Sequence, residues 1–114
     1  MSVKIERIAS EMVKQISYIL ATEIKDEDIK FVTVTDCKVT NDLSFAKVYV
    51  TVFNKDKIKN TVDALNNASG FIRRELADRI DIRHIPELTF VYDESIEYGK
   101  NIENIIEKIH EENE

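Results

Sequence analysis

Ile5, Ile8, Met12, Ile16 and Ile19/Leu20 recur at three- and four-residue steps, which predicts an amphipathic helix over roughly residues 3–23. Lys4, Arg7, Glu11 and Lys14 lie off that stripe, on a face open to solvent or to a polyanion. After the polar connector Lys25-Asp26-Glu27-Asp28 the period changes from helical to alternating. Phe31 to Val39 is rich in β-branched residues, Thr40-Asn41-Asp42 carries turn chemistry, and Ser44 to Phe53 returns as a second strand. Ala46, Val48, Val50 and Val52 form one face of this hairpin, and Phe45, Lys47, Tyr49, Thr51 and Phe53 form the other. Rings on the second face can stack on bases. Packing beneath a helix is the preferred reading for them.

Helical spacing resumes from about Lys57 to Ile80, with Asp56 as the expected cap. Ile58, Val62, Leu65, Ile72, Leu76 and Ile80 make its apolar stripe, with Ser69 filling the gap. On a helical wheel Phe71 falls roughly 140° from that stripe, so a straight helix would leave a phenylalanine near solvent. The neighbours Asn66, Asn67, Ser69 and Gly70 all weaken a helix interior, and kinks fall at Gly/Ser pairs. We therefore expect two helices meeting at residues 67–71, with Phe71 turned inward. A new helix N-terminus at that point offers backbone N–H groups and a positive dipole end to an anion. Glycine permits close approach, and Arg73 and Arg74 on the first turn offer planar forks suited to phosphate. Arg83-His84-Ile85-Pro86-Glu87 then turns the chain into a short third strand, Leu88 to Tyr92. Asp93-Glu94 reads as a helix entry. It leads to a Glu-rich segment with Ile102, Ile105, Ile106 and Ile109 at helical spacing. Strands mixed with helices in this order predict a two-layer α+β domain.

Charge distribution changes the picture that the total suggests. The chain of 114 residues carries a net charge of −6, but residues 1–92 hold 14 basic and 14 acidic side chains, and residues 93–114 hold 2 and 8. The excess is confined to the end, and a neutral body can still present a local field to phosphate. Four of the five arginines, Arg73, Arg74, Arg79 and Arg83, fall within eleven residues. We expect one domain, with a core over about residues 3–92 and an acidic extension over 93–114. No apolar run reaches the roughly 20 residues that span a bilayer, and the N-terminus lacks a secretory pattern, so a cytoplasmic location without membrane contact is expected. The single cysteine, Cys37, excludes an internal disulfide and reads as a small strand residue. His84 and His110 have no partner at a motif spacing, and no nucleophile elbow, zinc-protease helix or P-loop is present, so no enzyme is expected.

Three blocks, "FVTVTDCKVTNDLSFAKVYVTVF", "ALNNASGFIRRELADRI" and "RHIPELTFVYDESIEYG", resemble those of the ribosome-binding factor A family of bacterial assembly proteins. The resemblance covers nearly the whole chain in the expected order. It implies a type II KH-like fold, α-β-β-α-(kink)-α-β, with a three-stranded sheet packed against helices. In that family an Ala-x-Gly kink, here Ala68-Ser69-Gly70, stands in place of the G-x-x-G loop of ordinary KH domains. It also implies a monomeric, non-catalytic RNA-binding factor without cofactor or metal. Such a factor associates with the immature small (30S) ribosomal subunit and assists late maturation of its 16S rRNA near the 5′ region. It supports growth in the cold, and its release is linked to a ribosome-assembly GTPase or to initiation factors. Members often carry a strongly basic surface, and this chain departs from that. The expected RNA contacts are Ala68, Ser69 and Gly70 for backbone approach and Arg73, Arg74, Arg79 and Arg83 for phosphate, with Lys47, Lys4 and Arg7 in support. The alternative is a protein-interaction module without direct RNA contact.

Overall fold

The computed structural model describes residues 3–29 and 31–95, so the helix expected over Ile102 to Ile109 lies outside the described residues. Helix α1 (Val3–Thr22) is followed by strands β1 (Val32–Val39) and β2 (Phe45–Val52), helices α2 (Ile58–Asn67) and α3 (Ser69–Ala77), and strand β3 (Glu87–Tyr92). This is the element order of the KH-like fold. The acidic connector after α1 holds one 3-10 turn, Glu27–Ile29, which drives Ile29 into the core.

The strands form one sheet in the order β1-β2-β3, with β2 antiparallel to β1 and parallel to β3. An antiparallel pair needs only a tight turn, whereas a parallel pair needs a crossover, which α2 and α3 supply. In the tight turn the Thr40 hydroxyl donates to Asp42 Oδ1 (2.8 Å) and accepts from the Phe45 N–H (3.1 Å), while the Ser44 N–H donates to Asp42 Oδ1 (3.0 Å). These bonds hold the Asp42 carboxyl below the usual carboxylate range, led by the one from the Ser44 backbone.

Alternation decides which face is covered. Ala46, Val48, Val50, Leu88 and Phe90 are buried against Met12, Ile16 and Ile19 of α1, Leu65 of α2, and Ile72 and Leu76 of α3. Cys37 joins this core, where burial pushes its thiol up to about 12, so it is inert packing. All three helices therefore sit on one face. The expected helix over the aromatic face is not found among the described residues: Phe45 is 57% and Phe53 85% exposed. The reason is compositional, since the apolar stripes of the helices match the aliphatic face and the other face has little aliphatic surface to bury.

Two helix boundaries also differ from expectation. Asn54 rather than Asp56 acts as the cap: its side chain accepts the Asp56 N–H (3.0 Å) and starts a 3-10 turn at Lys55–Lys57, after which α2 begins without a side-chain cap. Helix α3 stops at Ala77 because the chain tightens into i→i+3 bonds, Asp78 N to Glu75 O and Arg79 N to Leu76 O. Ile80 nevertheless reaches the core.

A side chain meets each outer strand of the sheet at one residue. On β3, the Asn66 carboxamide donates to Phe90 O (3.0 Å) and accepts from Phe90 N (2.8 Å), pairing the strand as a neighbouring backbone would. On β1, a bulge between Val34 and Asp36 interrupts the ladder, and the Cys37 N–H turns to Asp36 Oδ1 (2.8 Å). The bulged residue, Thr35, donates its hydroxyl to Asp93 Oδ2 (2.5 Å). Asp93 also accepts from the Ser95 N–H (3.0 Å) and Ser95 hydroxyl (2.5 Å), and its own N–H donates to Val50 O (2.8 Å). Asp93, expected to open the acidic extension, thus ties all three strands together and caps the helical turn that starts at Glu94.

Two outcomes follow from these contacts. Asn66→Ala leaves the Phe90 N–H and carbonyl without partners and is expected to cost about 2–3 kcal/mol in urea unfolding. Asn67→Ala, at the exposed neighbouring position, stays within about 0.5 kcal/mol. For Asp93, the hydrogen bonds from Ser95 and then Thr35 lower the folded-state pKa below its ordinary value. Its contribution is therefore complete above the unfolded carboxylate range and is lost as pH falls through the folded value. Acid titration of stability is expected to show a shallower acid limb in Asp93→Asn than in the parent chain; equal limbs would contradict this assignment.

Candidate nucleic-acid interface

The junction between α2 and α3 is a single residue, Ala68, with φ −90° and ψ 1°. Its N–H is shared between Ala64 O (3.0 Å) and Leu65 O (3.1 Å), and its carbonyl accepts from Ile72 N (3.0 Å). The hydrogen-bond ladder is thus nearly continuous, and carbonyls of Ala64, Leu65 and Asn66 take up the N–H groups at the end of α2. The expected cluster of free N–H groups at a fresh N-terminus is reduced accordingly.

Gly70 has no positive φ, and a Cβ built there would meet nothing within 4 Å. Neither backbone conformation nor internal crowding requires glycine at this position. Phe71, expected to turn inward, remains at the surface with 36% exposure. The break is too slight to rotate it into the core. Gly70, Phe71 and Arg74 therefore form an open strip on α3, since residues three and four apart share a helix face.

The arginine window divides into two pairs. Arg73 Nε and Nη2 both donate to Ile85 O (3.0 and 2.8 Å), which uses two of its five N–H donors to pin the connector beside the buried Pro86. Arg79 lies 3.5 Å from Glu23 and 3.5 Å from Glu75, with its guanidinium 5.1 Å from the Tyr18 ring centre. It joins the end of α3 to α1, and its Nε is buried without a hydrogen-bond partner among the described residues. By contrast Arg74 and Arg83 are exposed, as is His84.

The supporting lysines and arginine are scattered. Lys4 and Arg7 are exposed on the first two turns of α1, and Lys47 projects from the open face of the sheet, across from the helices. Charge around the junction is mixed. Asp26, Asn60, Asp63, Ala64, Asn67 and Ala68 line a shallow cleft on one flank of the junction. Its two carboxylates weaken the local attraction for phosphate, and Asp63, seven residues before Gly70, lies on nearly the same helix face. What the strip can do is bind: a glycine lets a ligand come close, a ring offers a stacking surface, and a guanidinium with no partner among the described residues offers a fork. No cluster of three or more candidate metal ligands occurs among the described residues. No described helix is long and apolar enough to cross a membrane.

Sequence reasoning missed Asn66 and Asp93 as structural residues and Phe71 as a surface ring. A signal for Asn66 existed in its place on the wheel, about 40° from Val62 at the margin of the buried stripe.

Comparison with known proteins accords with this arrangement. The family model described as ribosome-binding factor A matches residues 4–106. Ribosome-binding factor A of Staphylococcus epidermidis is 49% identical over 110 residues, covering 96% of this chain and 95% of the relative. The crystal structure of ribosome-binding factor A from Thermus thermophilus superposes with a TM-score of 0.69 at 22% identity, over 75% of this chain and 92% of that one. A Thermus thermophilus homology model fitted into a cryo-EM map of a complex with the 30S subunit gives 0.67 at 21% identity, over 79% and 96%. This chain belongs to the ribosome-binding factor A family.

Proposed function

We propose that this protein is a cytoplasmic, non-catalytic RNA-binding factor that acts as a monomer on the immature small ribosomal subunit. It assists late maturation of the 16S rRNA near its 5′ region, supports growth in the cold, and leaves through the action of a ribosome-assembly GTPase. Family membership over nearly the whole chain carries this reading, because the Thermus relative is described in a complex with the 30S subunit. The Ala68-Ser69-Gly70 junction with Arg74 is the contact we place at its centre. Arg83 adds a second exposed guanidinium, and Lys4, Arg7 and Lys47 add outlying charge. Arg73 and Arg79 contribute through the donors that Ile85, Glu23 and Glu75 leave open, so most of the phosphate attraction falls to Arg74 and Arg83.

The rival reading is a module that recognises protein alone. Phosphate contacts make affinity fall steeply with salt concentration, whereas an apolar interface is nearly indifferent to it.

Reversal of Arg74 and Arg83 to glutamate is expected to abolish co-sedimentation with immature small subunits while leaving the melting curve unchanged. Arg73→Glu is unsuitable for that purpose because it unpins Ile85. Retention of the double variant on immature subunits would refute the placement of the contact. Gly70→Ala separates fold from function by sign: stability is expected to rise by about 1 kcal/mol, because alanine is the better helix former and its methyl meets nothing. Subunit affinity is expected to fall in the same variant, and an unchanged affinity would remove Gly70 from the contact.

A further inference from the structure

The uncovered face of the sheet has an order that the helical strip does not explain. Along β2, the central strand, it presents Phe45, Lys47, Tyr49 and Thr51, and Phe53 follows one residue past the strand's end. The three rings stand four residues apart, about 13 Å from one to the next. Lys38 of β1 lies directly opposite Lys47, and its ammonium is 5.6 Å from the Tyr49 ring centre. At the far end of the strand, Phe31, 71% exposed, joins Phe53 with ring centres 6.0 Å apart.

Like charges directly across a strand pair are destabilising. Among the described residues neither Lys38 nor Lys47 has a carboxylate within salt-bridge distance. The two acids of this face stand one row away on the outer strands: Asp36, opposite Tyr49, accepts from the Cys37 N–H, and Glu87 lies beside Phe45. An anion is what the lysine pair lacks. An apolar protein surface would have to strip water from both ammonium groups, and Val91 is the face's main aliphatic residue. A paired A-form helix keeps its bases out of reach of projecting rings. Unpaired bases fit rings that stand apart with cationic charge between them.

We propose that this face is a second RNA contact, which takes a single-stranded segment by stacking bases on Phe45, Tyr49 and Phe53 while Lys38 and Lys47 neutralise phosphate. The proposal rests on the reading of the chain as an RNA-binding factor and adds both a site and a class of RNA.

The test titrates the full chain with a short fluorescein-labelled oligouridylate and with a duplex of the same length. Single strand is expected to bind more tightly than duplex and to quench tyrosine emission, with the quench lost in Tyr49→Phe. Phe45→Ala combined with Phe53→Ala is expected to weaken oligouridylate binding about tenfold or more. Both rings are exposed, so an unchanged melting curve verifies the fold. The Arg74→Glu, Arg83→Glu chain keeps the tyrosine quench. If the phenylalanine variant binds oligouridylate as the parent does while the arginine variant loses immature subunits, the sheet contact is overturned and the proposed function stands. Absence of binding to both oligouridylate and immature subunits removes both. If the phenylalanine variant loses immature subunits with oligouridylate binding unchanged, the face takes a protein and the RNA proposal is overturned.

Discussion

The two hydrogen bonds between the Asn66 carboxamide and the backbone of Phe90 are the constraint on which the arrangement depends. Strand β3 pairs with β2 on one side only, so its other edge carries peptide groups that must find partners or stay wet. Asn66 supplies one donor and one acceptor in the geometry of a peptide, which fixes α2 along that edge. Arg73 repeats the tactic seven residues later, bonding Ile85 in the segment that leads into β3. Positions seven apart return to nearly the same helix face. The crossover helices are thus held to the sheet margin by polar contacts while Leu65, Ile72 and Leu76 fill the core beneath them.

Much of this architecture was legible because two periods do not overlap. The alternation of Ala46, Val48, Val50 and Val52 permits only one inward face, and the stripe from Ile8 to Ile19 permits only one helix orientation against it. The uses of individual polar residues were not legible. Asn66 has the same local propensity whether it breaks a helix or pairs a strand, and the partner, Phe90, is 24 residues away. The same holds for Asp93, whose partner Thr35 is 58 residues distant. Adjacent arginines were equally ambiguous: Arg73 and Arg74 differ by about 100° on the helix, which places one over the connector and the other in solvent.

That division bears on how an acidic chain can attract RNA. Of the four clustered arginines, two neutralise or bridge groups of the protein itself and two face outward. Asp26 and Asp63 line an acidic cleft beside Ala68. Under the proposed function, attraction depends on local field rather than on total charge, and the lysine pair on the sheet lies on the opposite side of the domain from the helices.

Inside the domain the helix break changes little. Leu65, Ser69, Ile72 and Leu76 stand at helical spacing, and Leu65, Ile72 and Leu76 are fully buried across the break, so the core stripe runs through it without a change of phase. Phe71 stays partly exposed, at 36%, and does not join the core. Gly70 needs neither an unusual φ nor room for its missing Cβ. Glycine and serine in a helix interior lower stability relative to alanine, Gly by about 1 kcal/mol. Among the described residues no interior contact offsets that cost. Under the proposed function, the compensation is a ligand that comes close to the backbone at Gly70, beside a partly exposed ring and a guanidinium with no partner among the described residues.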